Sequence, residues 1–452
     1  MSVLANCTGF LRNPAVMGAF LGLVLFAAIL AMRSSGLLVP AELEAHDLFL
    51  RMHQGAASIE PRVVLVSVNE ADIQQLGQWP LPDGVLAKLI EALQTHEPRV
   101  IGIDIYRDLP VPPGTGRLEQ LLVGCRNIVM VVKFGGAGLP GVAPPAILRG
   151  TDQVGFSDIL VDRDGVVRRG LLFLDDGVDV AYSLSLRLAL QYLQSQGIQP
   201  QPGESDPSHL RLGDVTLPPF ETNDGGYVGA DAAGYQFMLD YRGGANPFPV
   251  YTLGELLGGD IPPGELEGLL VIVGVAADSV KDNFLTPYRH AGDLPGLPGS
   301  VLHAHATSQL LRAALDGERP PVVLDDAMEH LWILVWTAAG VLLVLCFKPV
   351  WRLLIAALFG TCLLVLLAYL AYAGGNLWLP VVPAVIGWVA SAALMTAYLT
   401  SHDSALRRQL MELCSRQVSG DVAGQIWERR DDFLAGGRLR ARRVTATVLF
   451  SD

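Results

Sequence analysis

Four long apolar runs organise the chain. Residues 14–32 make 19 positions without a charge, 331–347 make 17, 353–373 make 21 and 377–400 make 24. About 20 apolar residues cross the hydrocarbon core as a helix, so each run predicts a membrane span. Trp332 and Trp336 suit the interface at the shorter second run. For the first run the rival reading is a cleaved signal peptide, whose apolar core is usually shorter. Between the first two runs the period alternates. Residues 62–69 (RVVLVSVN) have the Val-rich pattern of a buried strand. Val85, Leu86, Leu89, Ile90 and Leu93 predict a helix over 83–95 with Asp83 as its N-cap. Residues 99–105 predict a strand, 118–124 a short helix and 128–134 a third strand. This β-α-β-α-β order implies parallel strands joined by right-handed crossovers. Further on, 154–162 and 166–174 flank Asp164-Gly165 as a hairpin, and 182–194 is an amphipathic helix. Strands at 211–217, 235–241 and 269–275 and helices at 251–257 and 300–315 complete the pattern.

Composition and charge add topology. The 452 residues are 51% hydrophobic and 17% charged. Soluble domains carry about 25% charged residues, so neither a disordered nor a wholly soluble chain fits. Residues 33–329 have a net charge of −18 and the remainder +5. The acidic block lacks the basic footprint of nucleic-acid binding, so no nucleic-acid partner is expected. Arg12, the pair Lys348 and Arg352, and the group Arg407, Arg408 and Arg416 all fall on one side if the N-terminus is cytosolic. Residues 33–330 then face outward. Cys125 is the one cysteine in that block, which excludes an internal disulfide there, and no CxxC pair exists. Gly18 and Gly22, and Gly387 and Ser391, are small-xxx-small pairs that suit close helix packing or dimerisation.

Candidate catalytic chemistry is sparse. Asp162-x-Asp164-Gly165 starts like a calcium loop but lacks the later ligands, and an Asp-Gly turn accounts for it. His303 and His305 are two apart on a predicted helix and so point to different faces. Gly135-Gly136-x-Gly138 follows a strand but runs into Pro140, not into a phosphate-binding helix N-terminus. Neither a Ser/His/Asp spacing nor HExxH occurs. Binding is therefore the expected role of the outer block.

Several segments resemble the CHASE2 domain family. Asn69-Glu70 after a strand, Leu76–Pro80 (LGQWP) and Gly102-Ile103-Asp104 match its opening. The resemblance continues at Gly155–Arg169, Asp240–Gly244 (DYRGG), Leu269–Pro287 and Leu297–Ala304, in order over most of residues 40–315. It implies an extracytoplasmic sensor module followed by three membrane helices. The expected fold is an α/β sensor domain, with a mixed, largely parallel sheet and flanking helices. Four transmembrane α-helices and a cytosolic signalling helix complete it.

Residues 414–452 resemble the entry to a class III nucleotide cyclase domain. Val418, Ser419 and Val422 lie on a helix before a basic linker, and Leu449–Asp452 (LFSD) ends the first catalytic strand. The resemblance implies that Asp452 is the first of two carboxylates binding two metal ions, Mg²⁺ or Mn²⁺. The second carboxylate, the base-recognising residues and the Asn/Arg pair would lie beyond Asp452. Two metals are needed to clamp the attacking and leaving oxygens, so this chain is expected to be inactive alone and to hold no catalytic residue or cofactor.

The implied organisation is a cytosolic N-terminus (1–13), a first span (14–32) and a CHASE2-like sensor (33–330). Spans at 331–347, 353–373 and 377–400, a cytosolic linker helix (401–443) and a truncated cyclase strand (444–452) follow. The expected protein sits in the plasma (inner) membrane. It transduces an unknown extracytoplasmic ligand to conversion of ATP to cyclic AMP in the full-length protein. A stripe from Leu406 to Ile426 suggests a homodimer. A non-catalytic CHASE2 receptor and a CHASE2 sensor of a kinase are the alternatives. A transporter is disfavoured because the spans lack ionisable residues.

Overall fold

The computed structural model describes residues 13–53, 60–135, 140–175, 179–244, 246–288, 296–347, 349–414, 434–435 and 438–439. In chain order the elements begin with α1 (Pro14–Ser34), α2 (Val39–Met52), β1 (Val63–Val68), α3 (Glu70–Leu76), α4 (Asp83–Gln94), β2 (Val100–Ile103), α5 (Thr115–Gly124), β3 (Ile128–Val132) and β4 (Val154–Phe156). Then come β5 (Arg169–Asp175), β6 (Val180–Tyr182), α6 (Leu184–Gln194), β7 (Gln201–Pro202), β8 (Leu210–Leu212), β9 (Val215–Leu217), β10 (Tyr235–Met238), β11 (Val250–Thr252) and α7 (Leu253–Gly258). The last are β12 (Leu270–Val275), β13 (Asn283–Phe284), β14 (Leu297–Pro298), α8 (Gly299–Asp316), β15 (Val322–Val323), α9 (Asp326–Cys346), α10 (Val350–Gly375), β16 (Leu377–Trp378) and α11 (Val382–Cys414). The chain divides into two compact units, Leu30–His330 with Leu363–Pro383, and Met1–Ile29 with Leu331–Cys362 and Ala384–Asp452.

The first of these units is built on a sheet ordered β11-β1-β12-β2-β3-β4. All of its described pairings are parallel. Strands buried on both faces need no polar alternation, which is why β1, β2 and β12 read as continuous apolar runs. One face carries α4, α5 and α7, whose Leu86, Leu89, Ile90, Leu118 and Leu253 join Val64, Val66, Ile101, Ile103 and Val273 in one core. The other face carries α6 and α8. Gly102 makes that second face possible, because a Cβ there would lie 2.8 Å from Leu188 of α6.

The expected hairpin over 154–174 does not form. A tight turn closes at Asp162–Gly165, with the Gly165 amide on the Asp162 carbonyl at 2.9 Å. Its flanks diverge, β4 to the parallel sheet and β5 to an antiparallel sheet with β10 and β6. Residues 211–217 also split, at Gly213-Asp214, into the β8–β9 pair. Two helices escaped the sequence pattern. The buried face of α2 includes Glu42, His46 and Asp47 as well as Leu43, Phe49 and Leu50, so its period is hidden in a mixed-polarity face. Short α3 is set by a reciprocal cap, Asn69 Oδ1 accepting from the Asp72 amide and Asp72 Oδ2 from the Asn69 amide, both at 2.9 Å.

Four described helices are long and apolar enough to cross a membrane: Pro14–Ser34, Asp326–Cys346, Val350–Gly375 and Val382–Arg408. The last begins at Val382 rather than 377, because β16 pairs with β15 in parallel, Val322 with Leu377 and Val323 with Trp378. Within the second unit the helices meet through small residues. A Cβ on Gly340 would lie 2.1 Å from Ser391 Oγ, one on Gly387 2.3 Å from Thr337, and one on Gly18 2.8 Å from Val341. Trp388 stands edge-on to Trp336 at 5.7 Å and donates its indole N–H to the Ala357 carbonyl at 3.0 Å. The small-residue pairs thus serve helix packing within one chain.

Candidate ligand-sensing site

Within the sheet-containing unit, the ends of the apolar helices that belong to it are tied to the α/β domain by specific polar contacts. Glu42, 1% exposed, accepts the amides of Val381 and Val382 at 2.9 and 2.8 Å. It therefore satisfies amides at the start of α11 that the helix itself leaves orphaned. Burial pushes the Glu42 carboxyl above its ordinary value, and the two amides pull it back. Arg33, at the end of α1, donates to Glu329 in the first turn of α9 and, at 3.0 Å, to the Gly225 carbonyl. Gly225 and Gly226 are required there, since a Cβ on either would run into Trp378 or Glu42. Tyr369 of α10 donates to the Met52 carbonyl at 3.2 Å, and Asn376 to the Arg319 carbonyl at 2.9 Å.

A buried ion network stands behind these contacts. Arg168 makes paired bonds of 2.8 Å to both oxygens of Asp47 on α2, and reaches Asp162 at 3.0 Å and Asp164 at 2.7 Å. Arg169 holds the other oxygen of Asp162 at 2.7 Å, and the Tyr227 hydroxyl donates to Asp162 at 2.7 Å. Burial would lower the Arg168 guanidinium, but its bonds to Asp47 and Asp164 raise it. The same bonds hold the Asp47 carboxyl below its ordinary value against burial. The Asp162–Gly165 turn is thus an arginine-binding turn.

Beside the network lies a cavity of about 630 Å³. Its walls come from the ends of α2 and α8, the Asp240–Gly243 turn after β10, Tyr288, and the Tyr372–Asn376 end of α10. Tyr241 has φ 45°, a strained value for a bulky residue. Its hydroxyl is held on the Val167 carbonyl at 2.6 Å, and Tyr288 donates to its carbonyl at 2.9 Å. The turn that follows uses left-handed Gly243 and Gly244. Arg312 of α8 is buried and binds both Asp240 oxygens at 2.8 and 2.9 Å and Glu318 at 2.6 Å. Arg242 pairs with the other Glu318 oxygen. Arg319 is exposed at the wall, and no ion pair engages its guanidinium among the described residues. Tyr372 is 4% exposed, and its hydroxyl has no hydrogen-bond partner among the described residues. The cavity volume falls in the range of small-molecule sites, and its walls combine Tyr241, Tyr288, Tyr372 and Leu50 with a strongly charged set of arginines and carboxylates.

The sequence-derived candidates fall elsewhere. His303 is buried against Ser185, Oγ to Nδ1 3.2 Å, while His305 packs between Tyr241 and Phe248, each 5.0 Å away. The two rings share no site. Burial lowers His303 to about 4. Among the described residues no group of three or more His, Cys, Asp or Glu is placed to hold a metal. Most of the Gly135–Gly138 segment, the helix beyond residue 414, Asp452 and the 444–452 strand lie outside the described residues. The cavity residues Arg312, Arg319 and Tyr372 were missed, because they come from separate elements. The DYRGG match over 240–244 was the one sequence signal touching the cavity.

The geometry is that of a mixed α/β domain whose main sheet is parallel, with a cavity bordered by the end of the membrane-length helix α10. The CHASE2 domain model matches residues 24–342. The chain belongs to the CHASE2 family, whose domains are extracytoplasmic sensors. Comparisons with curated proteins and with solved structures found no match.

Proposed function

We propose that the chain is the sensor and transmembrane portion of a receptor-type class III nucleotide cyclase. The observation that supports it most is the Glu42 contact. A domain residue holds the first amides of α11, and α11 runs unbroken from Val382 to Cys414. Signal at the domain thereby reaches the segment whose sequence resembles a cyclase entry. The CHASE2 domain lies outside the plasma (inner) membrane, the four helices span it, and residues from 401 onward are cytosolic. Two copies pair through the helix that starts at α11, because class III active sites form between subunits. Asp452 is the first metal-binding carboxylate, and Mg²⁺ or Mn²⁺ supplies the phosphoryl chemistry on ATP.

The test is cyclic AMP formation by the full-length protein in membranes. Asp452→Ala is expected to abolish it while leaving membrane insertion intact. Full activity in that variant would reject the metal assignment. Cysteines at 410 and 413 are expected to cross-link between copies. Failure of both pairs would reject the parallel dimer. A kinase output would instead appear as phosphate transfer with no cyclic nucleotide.

A further inference from the structure

The cavity beside Arg312 has a charge count that selects its ligand. Three arginines, Arg242, Arg312 and Arg319, line it against two carboxylates, Asp240 and Glu318. Both carboxylates are already engaged: Asp240 by Arg312, and Glu318 by Arg312 and Arg242. One positive charge is left over, on the exposed guanidinium of Arg319. Across the same wall the Tyr372 ring is packed away while its hydroxyl, which has no hydrogen-bond partner among the described residues, opens toward the cavity. The remaining walls are Leu50, Tyr241 and Tyr288, with His53, Asn376 and the glycine-rich end of α10 completing the lining.

We propose that this cavity binds a small carboxylate monoanion carried on an apolar or aromatic body. Arg319 takes the carboxylate in the fork geometry that guanidinium groups favour, the Tyr372 hydroxyl donates to it, and the body lies against Tyr288 and Leu50. A dianion overcompensates the single free charge, and a cation meets it directly. The proposal rests on the reading of the chain as a CHASE2 sensor and names the ligand class of that sensor. Tyr372 ends α10, and Arg319 bonds through its carbonyl to Asn376, just past α10. An anion bridging the two side chains therefore fastens the segment just after α8 to the end of α10. Free carboxylate metabolites and membrane fatty acids share this chemistry.

The experiment is binding to this chain in phosphatidylcholine nanodiscs by titration calorimetry. The probes are phenylacetate, its neutral amide phenylacetamide and the cation phenethylamine. Phenylacetate is expected to bind saturably, and the other two at least tenfold more weakly. Arg319→Gln should weaken phenylacetate by about 10-fold or more and Tyr372→Phe by about 2- to 10-fold, with Arg319→Lys recovering part of the loss. Unchanged circular dichroism and melting of the phenylalanine variant separate lost binding from lost folding. A parallel titration with palmitate decides the source. Tighter palmitate supports a membrane carboxylate and tighter phenylacetate a soluble one. Equal binding of phenylacetamide, insensitivity to both substitutions, or no saturation below about 10 mM phenylacetate overturns the proposal. None of these readouts uses cyclic nucleotide, so a failure here is distinct from failure of the cyclase reading.

Discussion

Asp47, Asp162 and Asp164 converge on Arg168, which none of the local periodicities marks. Removing one partner of a buried ion group leaves the others charged and dry, at a cost of about 3–5 kcal/mol. Arg168→Met is therefore expected to cost that much in denaturant unfolding, and Asp47→Asn should be less harmful in that background than alone. Equal, additive losses would show that the pair is not coupled. Two other residues predict a pH dependence. The surrounding protein withdraws Asp104 from water and raises its carboxyl from 3.8 to about 7. Its favourable contribution is complete below pH 3.8 and is lost as pH rises through 7. Burial lowers His303 from 6.5 to about 4. Its contribution is complete above pH 6.5 and is lost as pH falls through 4. The two slopes oppose each other over roughly pH 4–6.5. Relative to the unsubstituted protein, the melting profile of Asp104→Asn should tilt upward with pH across that window, and that of His303→Gln should tilt downward. Parallel profiles for the two variants would refute the assignment.

At the scale of elements, the small residues of the apolar helices have a definite use. Gly340 faces Ser391 and the Trp388 carbonyl with no room for a Cβ. Gly340→Leu is expected to destabilise the helix packing by about 1–3 kcal/mol through overpacking. Gly374→Ala, with nothing within 4 Å, is a control expected to change little. Steric trapping or a thermal shift in lipid compares the two. At the start of α11, Glu42→Leu strands the Val381 and Val382 amides in a buried place. A loss of about 1–3 kcal/mol is expected, read by thermal unfolding of the whole chain. An unchanged midpoint would mean that water caps the helix instead. The elements best read from sequence were those with one period and one environment, such as β1, β12, α4 and α6. Helix α2 was not legible, since its acids and histidine lie on the buried face and erase the apolar stripe. The hairpin expectation failed because a turn motif fixes a local reversal and not the partners of its flanks.

For the whole molecule, the CHASE2 match over residues 24–342 carries the sensory class. The contacts of Glu42, Arg33, Tyr369 and Asn376 tie helix ends to that domain. If these contacts transmit the signal, Glu42→Gln in the full-length protein should alter the ligand response of cyclic nucleotide output while leaving phenylacetate affinity within about 2-fold. A matching loss of affinity would place Glu42 in binding and not in transmission.

What the amino-acid order determined by itself was everything local or additive. Apolar runs long enough for a bilayer, an acidic block between basic flanks, parallel βα units and family motifs all follow from near-neighbour chemistry. What only the tertiary structure decided was which distant residues meet. The insertion of β12 between β1 and β2, the Arg168 network drawn from α2 and the 162–169 turn, and the cavity shared by α2, α8 and α10 depend on long-range packing. No period along the chain encodes that packing, because the physical requirement of each polar group is a partner in space and not a neighbour in sequence.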